Sequence, residues 1–131
     1  MPIIFYVLLV TSILPIVIAG VAVHFRKKQF GFADNNHPRL QQLQLTGTGA
    51  RAMAAQQNAW EALPIFLSVV LIAYASGVDL NKLTIPALIF ITFRVLHAVF
   101  YIVNLASLRS FAFSVSFFSC LYIFYVAARM Y

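Results

Sequence analysis

Four apolar runs, each about as long as a bilayer is thick, fill most of this 131-residue chain and leave it few ways to fold. They fall at about 3–24, 50–76, 83–104 and 109–129, joined by one long connection at 25–49 and two short ones. About 20 residues rising 1.5 Å each match the roughly 30 Å hydrocarbon core, so each run can cross a membrane once. Lipid offers no partner for unpaired backbone groups, which leaves helices as the open choice. Composition agrees, with 63% hydrophobic and 9% charged residues against globular averages of about 45–50% and 25%. The expectation is an all-α, membrane-embedded four-helix bundle of left-handed up-down topology, a single domain over 1–131.

The first run carries no charge and is followed at once by His24, Arg26, Lys27 and Lys28. A secretory signal has its basic stretch ahead of the apolar run, so this one reads as an uncleaved anchor. Arg26, Lys27, Lys28, Arg39, Arg51 and Arg109 fall on one side of the membrane, against Lys82 and Arg129 on the other. The positive-inside rule then places 25–49 and 104–109 in the cytoplasm and both termini on the non-cytoplasmic side, in the cell inner membrane if the source is bacterial. The net charge of +6 reports this topology and attraction to anionic lipid. Nucleic acid is not expected as a partner, because no basic face with exposed aromatics is present.

Several chemistries find no foothold. Cys120 is a lone cysteine inside the fourth run and reads as a packing residue. The histidines at 24, 37 and 97 have no ligand spacing, so no metal is expected. Neither a glycine-rich phosphate loop nor a Ser, His, Asp set is present. Within 25–49, Leu40 and Leu43 stand three apart and suggest a short amphipathic turn at the interface. That segment reads as a solvated loop or, alternatively, as a lid over a cytoplasmic cavity. Pro15, Pro64 and Pro86 fall within spans and read as kinks. Tyr122, Tyr125 and Tyr131 with Arg129 fit an outer interfacial belt.

The residues that resist a purely structural reading are Glu61, Arg94 and His97. An ionisable group at membrane depth costs at least ~2.5 kcal/mol, so these should face the bundle interior, paired or solvated. Arg51, Asn58 and Glu61 stand seven and three apart and form one stripe on the second helix; Arg94, His97 and Tyr101 form another on the third. Antiparallel packing brings the stripes level and predicts a Glu61–Arg94 ion pair. One reading is that this pair simply neutralises two buried charges. The other is a pocket for a small, multiply charged ligand, to which Arg109 and Ser110 at the same end also contribute.

The elements Asn58-Ala-Trp-Glu61-Ala-Leu-Pro64-Ile-Phe66, Arg94-Val-Leu-His97-Ala-Val-Phe-Tyr101 and Arg109-Ser110, in this order on helices two, three and four, carry a resemblance. The chain resembles, over nearly its whole length, the membrane-associated proteins in eicosanoid and glutathione metabolism (MAPEG), which include microsomal glutathione transferases, leukotriene C4 synthase and microsomal prostaglandin E synthase. The resemblance implies a homotrimer with glutathione as co-substrate, bound between neighbouring subunits near the cytoplasmic side. It implies that Asn58 and Glu61 contact the glutathione backbone and amino group. Arg94, His97 and Tyr101 would then hold carboxylates or shape the pocket, and Arg109 and Ser110 would face the thiol as catalytic residues. The implied activity is transfer of the thiolate to a lipophilic electrophile, or reduction of a lipid hydroperoxide.

Three positions depart from that pattern. Gln57 and His24 stand where relatives commonly carry arginine, and Phe113 where several active relatives carry tyrosine. Arg51 is the candidate to replace a lost cation, and Phe113 a candidate to stack on the ligand. The alternative expectation is a catalytically silent member that binds a small anion or serves as an assembly subunit in the membrane.

Overall fold

The computed structural model describes residues 1–130. The chain forms α1 (Ile3–Phe30), α2 (Pro38–Leu43), α3 (Gly47–Ala75), α4 (Thr84–Ile102) and α5 (Ala106–Ala128), with a 3-10 turn at Leu80–Leu83 ahead of α4. The fold is all-α, and α1, α3, α4 and α5 are each long and apolar enough to span a membrane. α1 packs along α3 and α4 along α5, while α3 also meets both α4 and α5.

The first helix outruns its apolar stretch. It was expected to end near residue 24 but continues to Phe30, since no breaker occurs before Gly31. Gly31 adopts φ +82°, where a side chain would be strained, and its N–H closes on the Lys27 carbonyl at 2.9 Å. Twenty-eight residues make a helix of about 42 Å, more than the hydrocarbon core needs. Its last turns lie beyond the apolar stretch.

Those turns are held by Arg26, which is buried. Its Nε donates to Gln41 Oε1 at 2.7 Å and its Nη2 to the Asp34 carbonyl at 2.6 Å. Gln41 in turn donates to the Phe32 carbonyl at 3.1 Å and accepts from the Asp34 N–H at 2.9 Å. The 25–49 connection is thus largely helical, with α2 tied to α1 and the second membrane helix starting at Gly47 rather than 50. Leu40 and Leu43 on α2 are exposed, the amphipathic turn the sequence suggested. α2 rests on α1 and α3, and the deep cavity described below is lined from α3, α4 and α5.

At the turn between α4 and α5, Asn104 takes φ +64° and the Leu105 and Asn104 N–H groups return to the Phe100 and Tyr101 carbonyls, at 2.9 and 3.2 Å. This double closure ends α4 sharply, and α5 begins at Ala106, before the expected 109. Arg109 and Ser110 are consequently helical residues near the start of α5, not part of the turn. Pro86 is no kink either, since it lies in the first turn of α4, where its missing N–H loses no bond. Pro15 and Pro64 are helix-interior, as expected.

The core has two parts. Toward the chain termini, Ile4, Phe66, Val70, Leu83, Phe90, Cys120 and Ile123 pack together, with the Phe66 and Phe90 rings stacked at 4.1 Å. Nearer the α4–α5 turn the core narrows to Ile18, Ala55, Ala59 and Ala98. Small residues there let α3 approach α1 and α4 closely, and the polar groups gather just beyond. Of the residues expected to form an interfacial belt, Arg129 Nη1 donates to the Tyr125 hydroxyl at 3.4 Å, whereas Tyr131 lies outside the described residues.

Candidate functional site

Arg94 projects from α4 into the bundle and is only 3% exposed. Its Nη2 donates to the Asn58 backbone carbonyl at 3.1 Å and, in a short contact, to Asn58 Oδ1. Asn58 Nδ2 passes the chain on to Glu61 Oε2 at 3.3 Å, and Gln57 Nε2 donates to Glu61 Oε1 at 3.5 Å. The expected Glu61–Arg94 ion pair is therefore absent: among the described residues no carboxylate comes within 4.0 Å of Arg94. Three residues turn an α-helix through about 300°, so Glu61 lies about 60° around α3 from Asn58. Asn58 meets the guanidinium first, and Glu61 stays exposed. A neutral amide joins the two charges without the desolvation that direct burial of both would require.

Beside this chain lies a cavity of about 160 Å³. Asn58, Glu61 and Arg94 form its polar end, while Ala62 and Ile65 from α3 and Phe90 from α4 form its apolar walls. α5 closes it with Phe113, Ser116, Phe117 and Cys120. Of these α5 residues only Phe113 was singled out for a site from sequence. The others were legible in principle, because Arg109, Phe113, Phe117 and Cys120 recur at four, four and three and so share one helix face. Cys120 is buried as expected, but it borders a void as well as the core.

His97 sits one turn from Arg94 toward the C-terminal end of α4, buried, with its ring 5.7 Å from Tyr101 and 6.2 Å from Phe113. The Arg109 guanidinium lies 4.3 Å above the Tyr101 ring, a cation–π contact that fixes the side chain without consuming its donors. Ser110 is exposed beside it. His97, Tyr101 and Arg109 do not line the cavity itself. They continue from Phe113 toward the α4–α5 turn, so the polar residues form a strip running from Arg94 to Arg109 with the cavity at its far end.

Two candidates lie elsewhere. Arg51 donates through Nε to the Ile102 carbonyl at 3.0 Å and through Nη2 to Thr48 Oγ1 at 2.9 Å. Its charge caps the C-terminus of α4, a favourable place for a cation, and is not available to replace the cation missing at Gln57. His24 is exposed on α1 with its ring against Phe25 at 5.3 Å.

Two buried nitrogens, Arg94 Nε and His97 Nδ1, find no hydrogen-bonding partner within the chain. Buried polar groups are nearly always satisfied, and two orphans a turn apart on one helix mark a place built to receive something. The strip offers a carboxylate (Glu61), two guanidinium groups (Arg94, Arg109), an imidazole and a hydroxyl. That inventory complements a ligand carrying both carboxylates and an ammonium group. The family model described as "MAPEG family" matches residues 3–129. No curated protein and no solved structure matches the chain.

Proposed function

The chain belongs to the MAPEG family, and from this premise we propose that it is an integral membrane, glutathione-dependent transferase or peroxidase acting on lipophilic electrophiles. The observation that carries the reading is the buried Arg94 guanidinium, anchored through Nη2 on Asn58 with Nε left free, in a line of groups that ends on the exposed Glu61 carboxylate. A glutathione carboxylate is the complement for Arg94, and its ammonium group the complement for Glu61. The cavity supports a site shared between copies of the chain. At about 160 Å³ it falls below the ~300 Å³ at which small-molecule pockets begin, and Glu61 and Phe113 at its rim are exposed. A neighbouring subunit of a homotrimer would complete it.

In this reading Arg109 and Ser110 donate to the glutathione sulfur and lower the thiol pKa from its usual value of about 8.5. The Tyr101 ring beneath Arg109 positions that cation. The thiolate attacks the electrophilic carbon, a carbon–sulfur bond forms, and the leaving group departs with its electron pair. With a hydroperoxide the thiolate takes the terminal oxygen, the O–O bond breaks to give the alcohol after protonation, and a second glutathione converts the sulfenic acid to disulfide and water. The electrophile arrives from the bilayer, and the polar strip faces the cytoplasm, where glutathione is plentiful.

A second reading is favoured by one observation, the commitment of Arg51 to the Ile102 carbonyl at the end of α4. With no cation replacing the missing arginine, the site could hold a small anion without turning it over. Purified protein assayed with glutathione and a halonitrobenzene separates the two. Saturable turnover supports the transferase, and binding without turnover supports the silent member.

A further inference from the structure

Lys82 stands at the opposite end of the bundle from the polar strip, in the 3-10 turn whose Leu80 and Leu83 pack with Ile4 and Ala127. Among the described residues no carboxylate lies within 4.0 Å of its ammonium group. Asp79, the nearest acid in sequence, closes its own turn instead, accepting from the Asn81 N–H at 3.1 Å and from Asn81 Nδ2 at 3.0 Å. Arg129, the other basic side chain at this end, is bonded to the Tyr125 hydroxyl. Lys82 is thus the cation that the fold leaves uncompensated here.

Lys82 and Tyr122 line an open groove between α4 and α5, together with Ile85, Pro86, Ile89 and Ser119. The Ser119 hydroxyl donates to the Pro86 carbonyl, which brings these two residues level and takes the one hydroxyl out of the groove floor. From that level Tyr122 lies three residues, about 4.5 Å, toward the Lys82 end, and Ile89 lies about as far the other way. One end of the groove therefore carries an exposed ammonium and an exposed phenol, and the other only hydrocarbon. The apolar surface continues past Ile89. Ile85, Ile89, Thr92 and Leu96 recur at four, three and four and share one face of α4, and Thr92 and Leu96 line a second groove there. From Ile85 to Leu96 this face runs about 16 Å, close to half of the roughly 30 Å hydrocarbon core.

We propose that this groove is a binding site for one glycerophospholipid, its phosphate held by the Lys82 ammonium and the Tyr122 hydroxyl and one acyl chain lying along Ile85 and Ile89 toward Leu96. Phosphate is the complement for an unpaired ammonium with a second donor beside it, and a face one leaflet deep matches a chain. A second copy of the protein is a poorer occupant. The chain has three acidic residues, Asp34, Glu61 and Asp79, and the one at this end is already bonded to Asn81. The site is independent of the transferase reading.

Delipidated protein in detergent is titrated with dioleoylphosphatidylglycerol or with dioleoylglycerol, which has the same chains and no phosphate, and bound lipid is counted by native mass spectrometry. One phosphatidylglycerol per chain should bind saturably, and dioleoylglycerol at least about tenfold more weakly. Lys82→Gln should weaken phosphatidylglycerol binding about tenfold, and Lys82→Arg should restore it. Ile89→Trp keeps both polar groups and should weaken binding by filling the groove. Lys82 and Ile89 are both exposed, so the variants should keep the helicity of the natural sequence by circular dichroism. Equal affinity for the two lipids, or phosphatidylglycerol binding unchanged in Lys82→Gln or in Ile89→Trp, would overturn the site. So would a lipid-free oligomer that binds no phosphatidylglycerol and shields Lys82 from an amine-reactive reagent, which would give the groove to a second copy of the chain.

Discussion

Arg94 and Asn58 are joined twice, the guanidinium of one donating to both the side-chain and the backbone oxygen of the other. The double contact ties α4 to α3 at the depth where the polar strip begins, and it sets the guanidinium in a fixed orientation. Hydrogen bonds to a charged group contribute about 1.5–3 kcal/mol each. Asn58→Ala should cost about that much stability, leaving the backbone contact in place. A double-mutant cycle of Asn58→Ala with Arg94→Met, followed by thermal unfolding in detergent, should give a coupling energy of about 1.5 kcal/mol or more. Additive losses would show that the pair is not coupled.

Arg51 provides the contrast. Its bond to the Ile102 carbonyl secures the end of α4, and Arg51→Gln should lower stability by about 1.5 kcal/mol, the lower end for a bond to a charged group. Affinity for glutathione should stay the same. A loss of affinity at unchanged stability would place Arg51 in the binding site after all.

The Arg109–Tyr101 contact separates orientation from chemistry. Tyr101→Phe keeps the aromatic face and should retain most of the thiolate absorbance of the bound ligand, whereas Tyr101→Leu releases Arg109 and should reduce it. The contact contributes about 0.5–2 kcal/mol, so the reduction should be partial. Arg109→Ala should abolish the absorbance with little change in ligand affinity. Absorbance unchanged in Arg109→Ala would remove this residue from thiol activation.

Asp34, in the connection between α1 and α2, has a clear pH signature. The His37 and Asn36 backbone N–H groups, at 3.0 and 2.8 Å, donate to its Oδ1 and hold its pKa below the ordinary 3.8. A carboxylate with a depressed pKa in the fold contributes stability above its unfolded pKa, and that contribution fades as pH falls through the lower, folded value. The order of residues 34–37 should thus persist through neutral and mildly acidic pH and be lost only below about 3.8. The amide resonances of Asn36 and His37 should titrate with a midpoint under that value, and Asp34→Asn should remove the transition. A midpoint above it would contradict the assignment.

Much of the fold was legible because span length and apolarity belong to whole segments and tolerate local error. The helix ends were less so. They depend on single residues such as Gly31 and Asn104 in left-handed conformations, and on the buried Arg26–Gln41 bond that carries α1 past its apolar stretch. At the site, periodicity placed Arg94 on an interior face, as found, and Glu61 too, which is instead exposed. It did not resolve the 60° about the α3 axis that decides whether the amide or the carboxylate meets the guanidinium. The spacing puts the α5 cavity residues on one face, but the void they border was not legible, for a different reason. Ser116, Phe117 and Cys120 are ordinary residues for a membrane helix, and a void depends on how three helices fail to fill the space between them.

The central claim is that the Arg94–Asn58–Glu61 chain is a glutathione site. Calorimetric titration of glutathione into the detergent-solubilised protein tests it most directly, with Glu61→Gln and Arg94→Met alongside. The account predicts saturable binding to the natural sequence and its loss in both variants, each remaining folded by circular dichroism. Binding that survives both substitutions, or no binding to the natural sequence, would contradict it.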